Sequence, residues 1–109
     1  MREVEVDTMD VPTPLLKQAV EEAIMPVPVT VPGIDRIHTL VGTAILYIRG
    51  DDLYAAVEFL DTDPGKTALR VVDRAQFYVS GLLDCEEDGT IRRFILQTVE
   101  FLLGRPPSE

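Results

Sequence analysis

Few side chains in this 109-residue sequence could carry out nucleophilic, acid–base or metal chemistry. It contains one histidine, His38, and one cysteine, Cys85, and no tryptophan. No CxxC or His-Cys spacing exists from which a zinc site could be built. His38 has no partner at catalytic spacing, and the acidic neighbours of Cys85 disfavour its thiolate. We therefore expect no enzymatic activity, no metal and no cofactor.

Gly65, Lys66 and Thr67 match the end of a phosphate-binding loop. The glycine that this loop needs five residues before Gly65 is replaced by Leu60. Asp63 would also place a carboxylate where a phosphate should sit. The segment therefore predicts an ordinary capped start of a helix.

Asp84, Glu86, Asp88 and Gly89 match the first half of a calcium-binding loop. The glutamate that closes such a loop at its twelfth position is replaced by Ile95. We expect a solvated acidic loop between two helices, with weak calcium binding as the alternative.

Charge is the most informative property of the composition. Nineteen acidic residues face ten basic ones, giving a formal net charge of -9. This charge disfavours direct nucleic-acid binding, which depends on Lys and Arg releasing counterions, although an acidic surface that mimics nucleic acid stays open. Carboxylates cluster over residues 3–10, 51–63 and 84–88, where they could bind a basic surface on a partner protein.

Three cations form the main basic feature. Lys66, Arg70 and Arg74 are spaced four residues apart, which would align them on one helix face. That face could bind an acidic partner or another copy of the chain; a solvated face is the alternative. The predicted partner-binding residues are Asp51, Asp52, Asp61, Asp63, Glu86, Glu87, Asp88, Lys66, Arg70 and Arg74.

Apolar spacing predicts a mainly α fold, a small bundle of about five helices. The helices are expected over residues 13–25, 34–49, 53–60, 63–83 and 91–102. Thr13 and Asp63 are expected N-caps, each followed by a proline in the first turn. Residues 34–49 would form the central helix, with a buried strand over residues 40–48 as the alternative.

Two short N-terminal segments are expected to be extended, with minor β pairing possible between them. Residues 2–6 alternate charged and apolar side chains. Over residues 26–32 every proline occupies an even position and every valine an odd one, which would leave one strand edge able to pair. The segment predicts a one-sided edge strand, with a polyproline-like connector as the alternative. The expected partner is the segment around Val4 and Val6, or the same segment of a second chain.

We expect a single domain over residues 1–109. It would consist of an extended N-terminal arm (1–12), a helical core (13–104) and a frayed tail (105–109). The N-terminus is acidic where a signal peptide is basic, and no apolar run reaches the roughly 18 residues of a membrane span. We therefore expect a cytoplasmic protein that does not bind membranes.

These observations favour a non-enzymatic acidic module that binds and modulates a partner protein, as an inhibitor, immunity protein, antitoxin or accessory factor does. The alternative is a self-assembling structural subunit, for example of a phage or other particle, and a homo-oligomer is expected. A third possibility is a small-molecule-binding domain or enzyme with a pocket between helices. Its polar groups would come from His38, Tyr47, Tyr54 or Tyr78.

Overall fold

The described part of the chain forms six strands and two short helices. The computed structural model describes residues 1–33 and 37–103. The strands are β1 (Arg2–Asp7), β2 (Val27–Pro32), β3 (His38–Arg49), β4 (Asp52–Phe59), β5 (Ala75–Cys85) and β6 (Ile91–Leu103). Helix α1 (Thr13–Glu22) joins β1 to β2, and helix α2 (Asp63–Arg70), followed by a 3-10 turn (Val72–Arg74), joins β4 to β5. The predicted mainly α bundle of about five helices is therefore wrong.

The strands close into a barrel in the order β1-β4-β3-β2-β6-β5. Neighbours pair antiparallel except β1 with β5 and β2 with β6, which pair in parallel over two residues each. Strands that follow one another in the sequence run in opposite directions along the barrel. The connections between them therefore lie alternately at its two ends. The α1 end holds α1, the β3–β4 turn and the β5–β6 turn. The α2 end holds α2, the start of β3 and the last residues of β6.

Aliphatic side chains fill the interior of the barrel. Along β4 the inward residues Leu53, Ala55 and Val57 are almost completely buried. Leu16 and Ala19 of α1 and Ala68 of α2 join the same core. Each large aliphatic side chain contributes about 1.5–3 kcal/mol when buried, so the alternation of inward and outward residues fixes the register of the strands.

Bulges explain why the spacing in β3 and β6 resembles that of helices. The pairing of β2 with β3 shifts between Val29 and Thr30, and the buried residues of β3 become Val41, Ala44 and Leu46. A shift between Ser80 and Gly81 similarly separates two registers of β5 with β6. Each bulge inserts one step of three into a period of two. The predicted central helix is therefore wrong over residues 37–49; the alternative strand over residues 40–48 is found, but it is buried on one side only, with Leu40 and Ile45 exposed at 45% and 48%.

In β4 and β5 the inward and outward residues are often of the same apolar type, so the sequence does not show which side of the strand is buried. Ala55 is buried and Ala56 is not, yet the two residues are identical in type. In β5, Leu82 and Leu83 are both exposed, so polarity does not mark the outward side. The helices predicted over 53–60, 63–83 and 91–102 are accordingly wrong apart from the first turns of α2.

The two helix starts are predicted well. Helix α1 begins at Thr13 with a proline in its first turn, but its N-cap is Pro12 and no side chain caps it. Helix α2 begins at Asp63, and its N-cap is Thr62. The predicted caps Thr13 and Asp63 are each one residue too late.

Both expected extended segments are strands, with other partners than expected. β1, inside the predicted arm of residues 1–12, pairs with β4 over five residues and is part of the barrel. β2 pairs with β3 along its whole length and with β6 through Val29 and Thr30, so it is not an edge strand. The predicted tail over 105–109 lies outside the described residues.

No helix within residues 1–33 and 37–103 is both long enough and apolar enough to cross a membrane.

Candidate functional site

An apolar groove with a volume of about 570 Å³ lies between α2 and the α2 end of the barrel. Strand residues Val31, Val41 and Phe101 line one side, and Pro64, Thr67 and Ala68 line the other. We call this feature the α2-end groove. It is concave and mostly hydrophobic, which is typical of binding sites.

The floor of the α2-end groove is rigidly packed. Phe101 is 3% exposed and makes edge-to-face contacts with Phe59 and Phe77, at ring-centroid distances of 6.4 and 5.2 Å. Leu102 and Leu103 also line the groove but are 38% and 61% exposed. The site therefore offers solvent-accessible leucines beside a fixed aromatic floor.

Local sequence sets the distance between α2 and the barrel. The Thr62 hydroxyl accepts a hydrogen bond from the Gly65 amide at 3.1 Å, which caps the helix. A Cβ added at Gly65 would lie 2.2 Å from the carbonyl oxygen of Leu60. Only glycine lets the helix approach this closely, so Gly65 positions one wall of the groove.

The rim of the α2-end groove carries the predicted cations. Lys66 pairs with Asp61 at 3.2 Å, and the Arg70 guanidinium donates to the hydroxyl of Thr67, which lines the groove. Within the described residues neither Arg70 nor Arg74 has an ion-pair partner. Lys66 and Arg70 lie on α2 as expected, whereas Arg74 lies in the 3-10 turn that follows, so the predicted helix face of three cations does not continue to Arg74.

The opposite end of the molecule is acidic. Its strand ends and non-helical connections, residues 7–12, 50–52 and 84–90, contain eight acidic residues: Asp7, Asp10, Asp51, Asp52, Asp84, Glu86, Glu87 and Asp88. Helix α1 at the same end adds Glu21 and Glu22 and one basic residue, Lys17. The predicted partner-binding residues are thus divided, because Asp51, Asp52, Glu86, Glu87 and Asp88 belong to the α1 end while the others belong to the α2 end.

The outer part of the β5–β6 hairpin, residues 81–95, extends the α1 end, and we call it the hairpin arm. Beyond Tyr78, β5 pairs with β6 alone among the described strands. Leu82 and Ile95 face each other across the two strands and are 56% and 41% exposed, and Leu83 is 53% exposed. The arm therefore presents aliphatic side chains to solvent.

The turn of the hairpin arm is an ordered hairpin turn, not the expected loop between two helices. Arg92 binds both carboxylate oxygens of Asp84 at 2.9 Å. The Asp88 carboxylate accepts a hydrogen bond from the Thr90 amide at 2.9 Å, and this bond lowers the pKa of Asp88. Gly89 has φ +90, which glycine adopts without strain.

A cluster of tyrosines covers the outer face of β3 and β4. The rings of Tyr47 and Tyr54 stack at 5.9 Å, and the Arg49 guanidinium lies 5.6 and 5.2 Å from their centroids. The Tyr47 hydroxyl donates to the Glu3 carboxylate, and this hydrogen bond raises the pKa of Tyr47. These side chains hydrogen-bond and stack with one another, so the cluster links β1 to β3.

A second cavity, of about 390 Å³, lies where β1, β4 and β5 meet. Glu5, Asp7, Asp51 and Asp52 contribute carboxylates to its lining. No group of three His, Cys, Asp or Glu side chains in the described part of the chain is arranged to hold a metal ion. The cavity groups two predicted residues, Asp51 and Asp52, without forming a metal centre.

The one histidine and the one cysteine of the sequence lie at opposite ends of the barrel. His38 begins β3 at the α2 end, where its Nδ1 is 3.3 Å from the Thr30 hydroxyl. Cys85 is exposed at the end of β5, in the hairpin arm.

Of the residues that line the α2-end groove, sequence reasoning selected only Asp63 for partner binding. The apolar lining residues Val31, Ala68 and Leu103 are distant along the chain and belong to no motif. The sequence feature that could have located the groove is the start of α2, because Pro64 and Gly65 mark where that helix meets the barrel.

Searches with the sequence and with the structure find no matching family model, no similar curated protein and no similar solved structure.

Proposed function

We propose that the chain is a non-enzymatic protein-binding domain whose α2-end groove receives an apolar, acid-bearing segment of another protein chain. The observation that carries this proposal is the exposure of Leu102 and Leu103 beside the packed floor of Phe101. Contiguous apolar surface of this kind marks interaction sites in soluble domains. A floor that is already ordered also reduces the entropy lost on binding.

The groove chemistry supports binding over catalysis. Among the described residues that line it, Asp63 is the one with an ionisable side chain. Apolar walls with a single carboxylate suit burial of a hydrophobic segment better than acid–base chemistry, which needs matched donors and acceptors. Lys66 and Arg70 at the rim favour acidic residues at the ends of that segment.

The wider expectations stay predictions from the sequence. They are a partner with a basic surface, a modulating role of the inhibitor or antitoxin type, no cofactor and a cytoplasmic location. The carboxylates of the α1 end are the surface to which such a basic partner would bind.

Selection from a random peptide library tests the proposal. Peptides that bind the wild-type domain should be enriched in aliphatic and acidic residues. Their affinity should fall at least about tenfold, or 1.4 kcal/mol, for Leu103→Asp, which puts a charge into the groove. The control is Ile45→Asp, because Ile45 is similarly exposed, at 48%, but lies away from the groove.

Peptides that bind Leu103→Asp as tightly as wild type would contradict the proposal. Thermal unfolding of both variants checks that the substitution has not disrupted the fold.

A further inference from the structure

We propose that the segment received by the α2-end groove is the hairpin arm of a second copy, so that the chain assembles head to tail. This inference rests on the proposed function, because it names the partner of the same groove. Three observations support it: the chemistry of the arm, the chemistry of the groove and the distance between them.

The arm has the composition that the groove selects. Leu82 and Ile95 pair across the two strands and supply exposed aliphatic side chains on one face of the arm, which can cover the exposed leucines of the groove; Leu83 is exposed on the other face. Beyond them, the turn carries Glu86, Glu87 and Asp88 and ends the arm with negative charge.

The groove rim complements that charge. Arg70 has no ion-pair partner within the described residues, and its guanidinium is already held beside the groove by Thr67. Arg74 has no such partner there either. An acidic turn placed next to these cations would gain charge–charge attraction that the isolated chain lacks. This attraction is screened within about 8 Å at physiological ionic strength, so added salt should weaken assembly.

One chain cannot make this contact with itself. The arm lies at the start of β6, and the groove contains the end of β6. β6 has 13 residues. At about 3.3 Å per residue this places the turn roughly 40 Å from the groove. The groove of another copy is therefore the one that the arm can reach.

Contacts between two different surfaces are heterologous, and they form rings or open chains. This geometry makes a prediction that a symmetric dimer does not. A chain with a blocked groove still has a working arm, and a chain with a blocked arm still has a working groove. Each alone should be monomeric, and an equimolar mixture should form a dimer that cannot grow.

Sedimentation velocity on full-length chains provides the test. Wild type should form species larger than a dimer as concentration rises. Leu103→Asp and Leu82→Asp should each weaken self-association at least about tenfold, and their mixture should recover a 1:1 dimer. Ile45→Asp, the matched control, should assemble like wild type.

A second pair of variants checks the charge contact without touching the leucines. Arg70→Glu and Glu87→Lys should each weaken assembly, and the double variant, in which every contact carries the exchanged charges, should recover it. These residues are exposed, so the fold should tolerate both changes.

Three outcomes would overturn the inference. They are a wild type that stays monomeric up to about 1 mM, a Leu103→Asp variant that assembles normally, and a mixture that remains monomeric. The second would indicate symmetric pairing of arms. If wild type is monomeric while selected peptides still bind the groove, the proposed function stands and the second copy is excluded as its partner.

Discussion

The two ends of the barrel support their apolar side chains in opposite ways. At the α2 end, Phe101 is packed against two other phenylalanines, and the exposed leucines lie beside this fixed floor. At the α1 end, Leu82 and Leu83 stand on a two-stranded arm whose β5 strand pairs only with β6 beyond Tyr78 among the described strands. One end is a packed apolar groove, and the other is an extended hairpin.

The difference shows that a small domain can expose apolar side chains on two structurally different supports. Contacts among packed aromatic rings hold the floor of the groove, whereas the outer part of the arm is held by pairing of β5 with β6 and its base by α1, through the ion pair of Arg93 with Glu22 at 3.0 Å. Substitutions at the α2 end should therefore affect stability strongly, and equivalent changes in the arm should affect stability little.

The largest expected effect comes from removing the floor of the groove. Phe101→Ala should lower the free energy of unfolding by about 3–5 kcal/mol, because it leaves a cavity among packed rings. Leu83→Ala in the arm should cost less than about 1 kcal/mol, because Leu83 is already half exposed. Urea denaturation measures both. Equal losses would mean that the arm is as tightly packed as the barrel.

Glycine substitutions should also destabilise the α2 end more than the arm, with smaller losses of unfolding free energy. Gly65→Ala brings a Cβ into conflict with the Leu60 carbonyl and should cost about 2–3 kcal/mol. Gly89→Ala meets no atom within 4 Å and should cost about 1 kcal/mol, from its positive φ alone. Thermal unfolding checks both variants. A harmless Gly65→Ala would show that α2 does not need its close approach.

The two helix starts provide a matched pair. Thr62→Ala removes the capping hydroxyl of α2 and should destabilise by about 1 kcal/mol. Thr13→Ala at the start of α1 should change stability by less than about 0.5 kcal/mol, since no side chain caps that helix. Chemical denaturation of the two variants side by side should give this ranking, and the reverse ranking would contradict the assigned caps.

The smallest effect concerns pH in the arm. The bond from the Thr90 amide lowers the pKa of Asp88 in the folded state. Its stabilising contribution is therefore present above the unfolded value of about 3.9 and is lost as pH falls through the lower folded value. The Thr90 amide shift, followed by NMR, should titrate with a midpoint below about 3.9, and Asp88→Asn should abolish the transition. A midpoint at or above that value would contradict the assigned bond.

Local signals in the sequence predict part of this fold. The prolines at positions 14 and 64 mark the starts of α1 and α2, and the alternation over residues 2–6 marks β1. These signals act within one turn or one strand, so they do not depend on the rest of the chain.

The barrel itself could not be predicted in this way, for a physical reason. The bulge opposite Val41 and the bulge beside Gly81 shift the period of the buried residues, and each exists only because two distant strands pair. The groove depends on that pairing as well, since Val31, Ala68 and Leu103 meet only after closure. Of the candidate residues, Lys66 and Arg70 lie at the groove rim, and Glu86, Glu87 and Asp88 lie at the tip of the arm.

The most direct test of head-to-tail assembly uses the single cysteine of the chain. Cys85 is exposed in the hairpin arm and can carry a nitroxide spin label. Labelled protein, shown by sedimentation to assemble like wild type, is mixed with isotope-labelled Cys85→Ser, and amide signals of the latter are recorded. Head-to-tail assembly should cause selective broadening at Thr39, Thr67 and Leu103, which line the α2-end groove. Broadening confined to the arm, or no broadening at concentrations where the chains assemble, would contradict it.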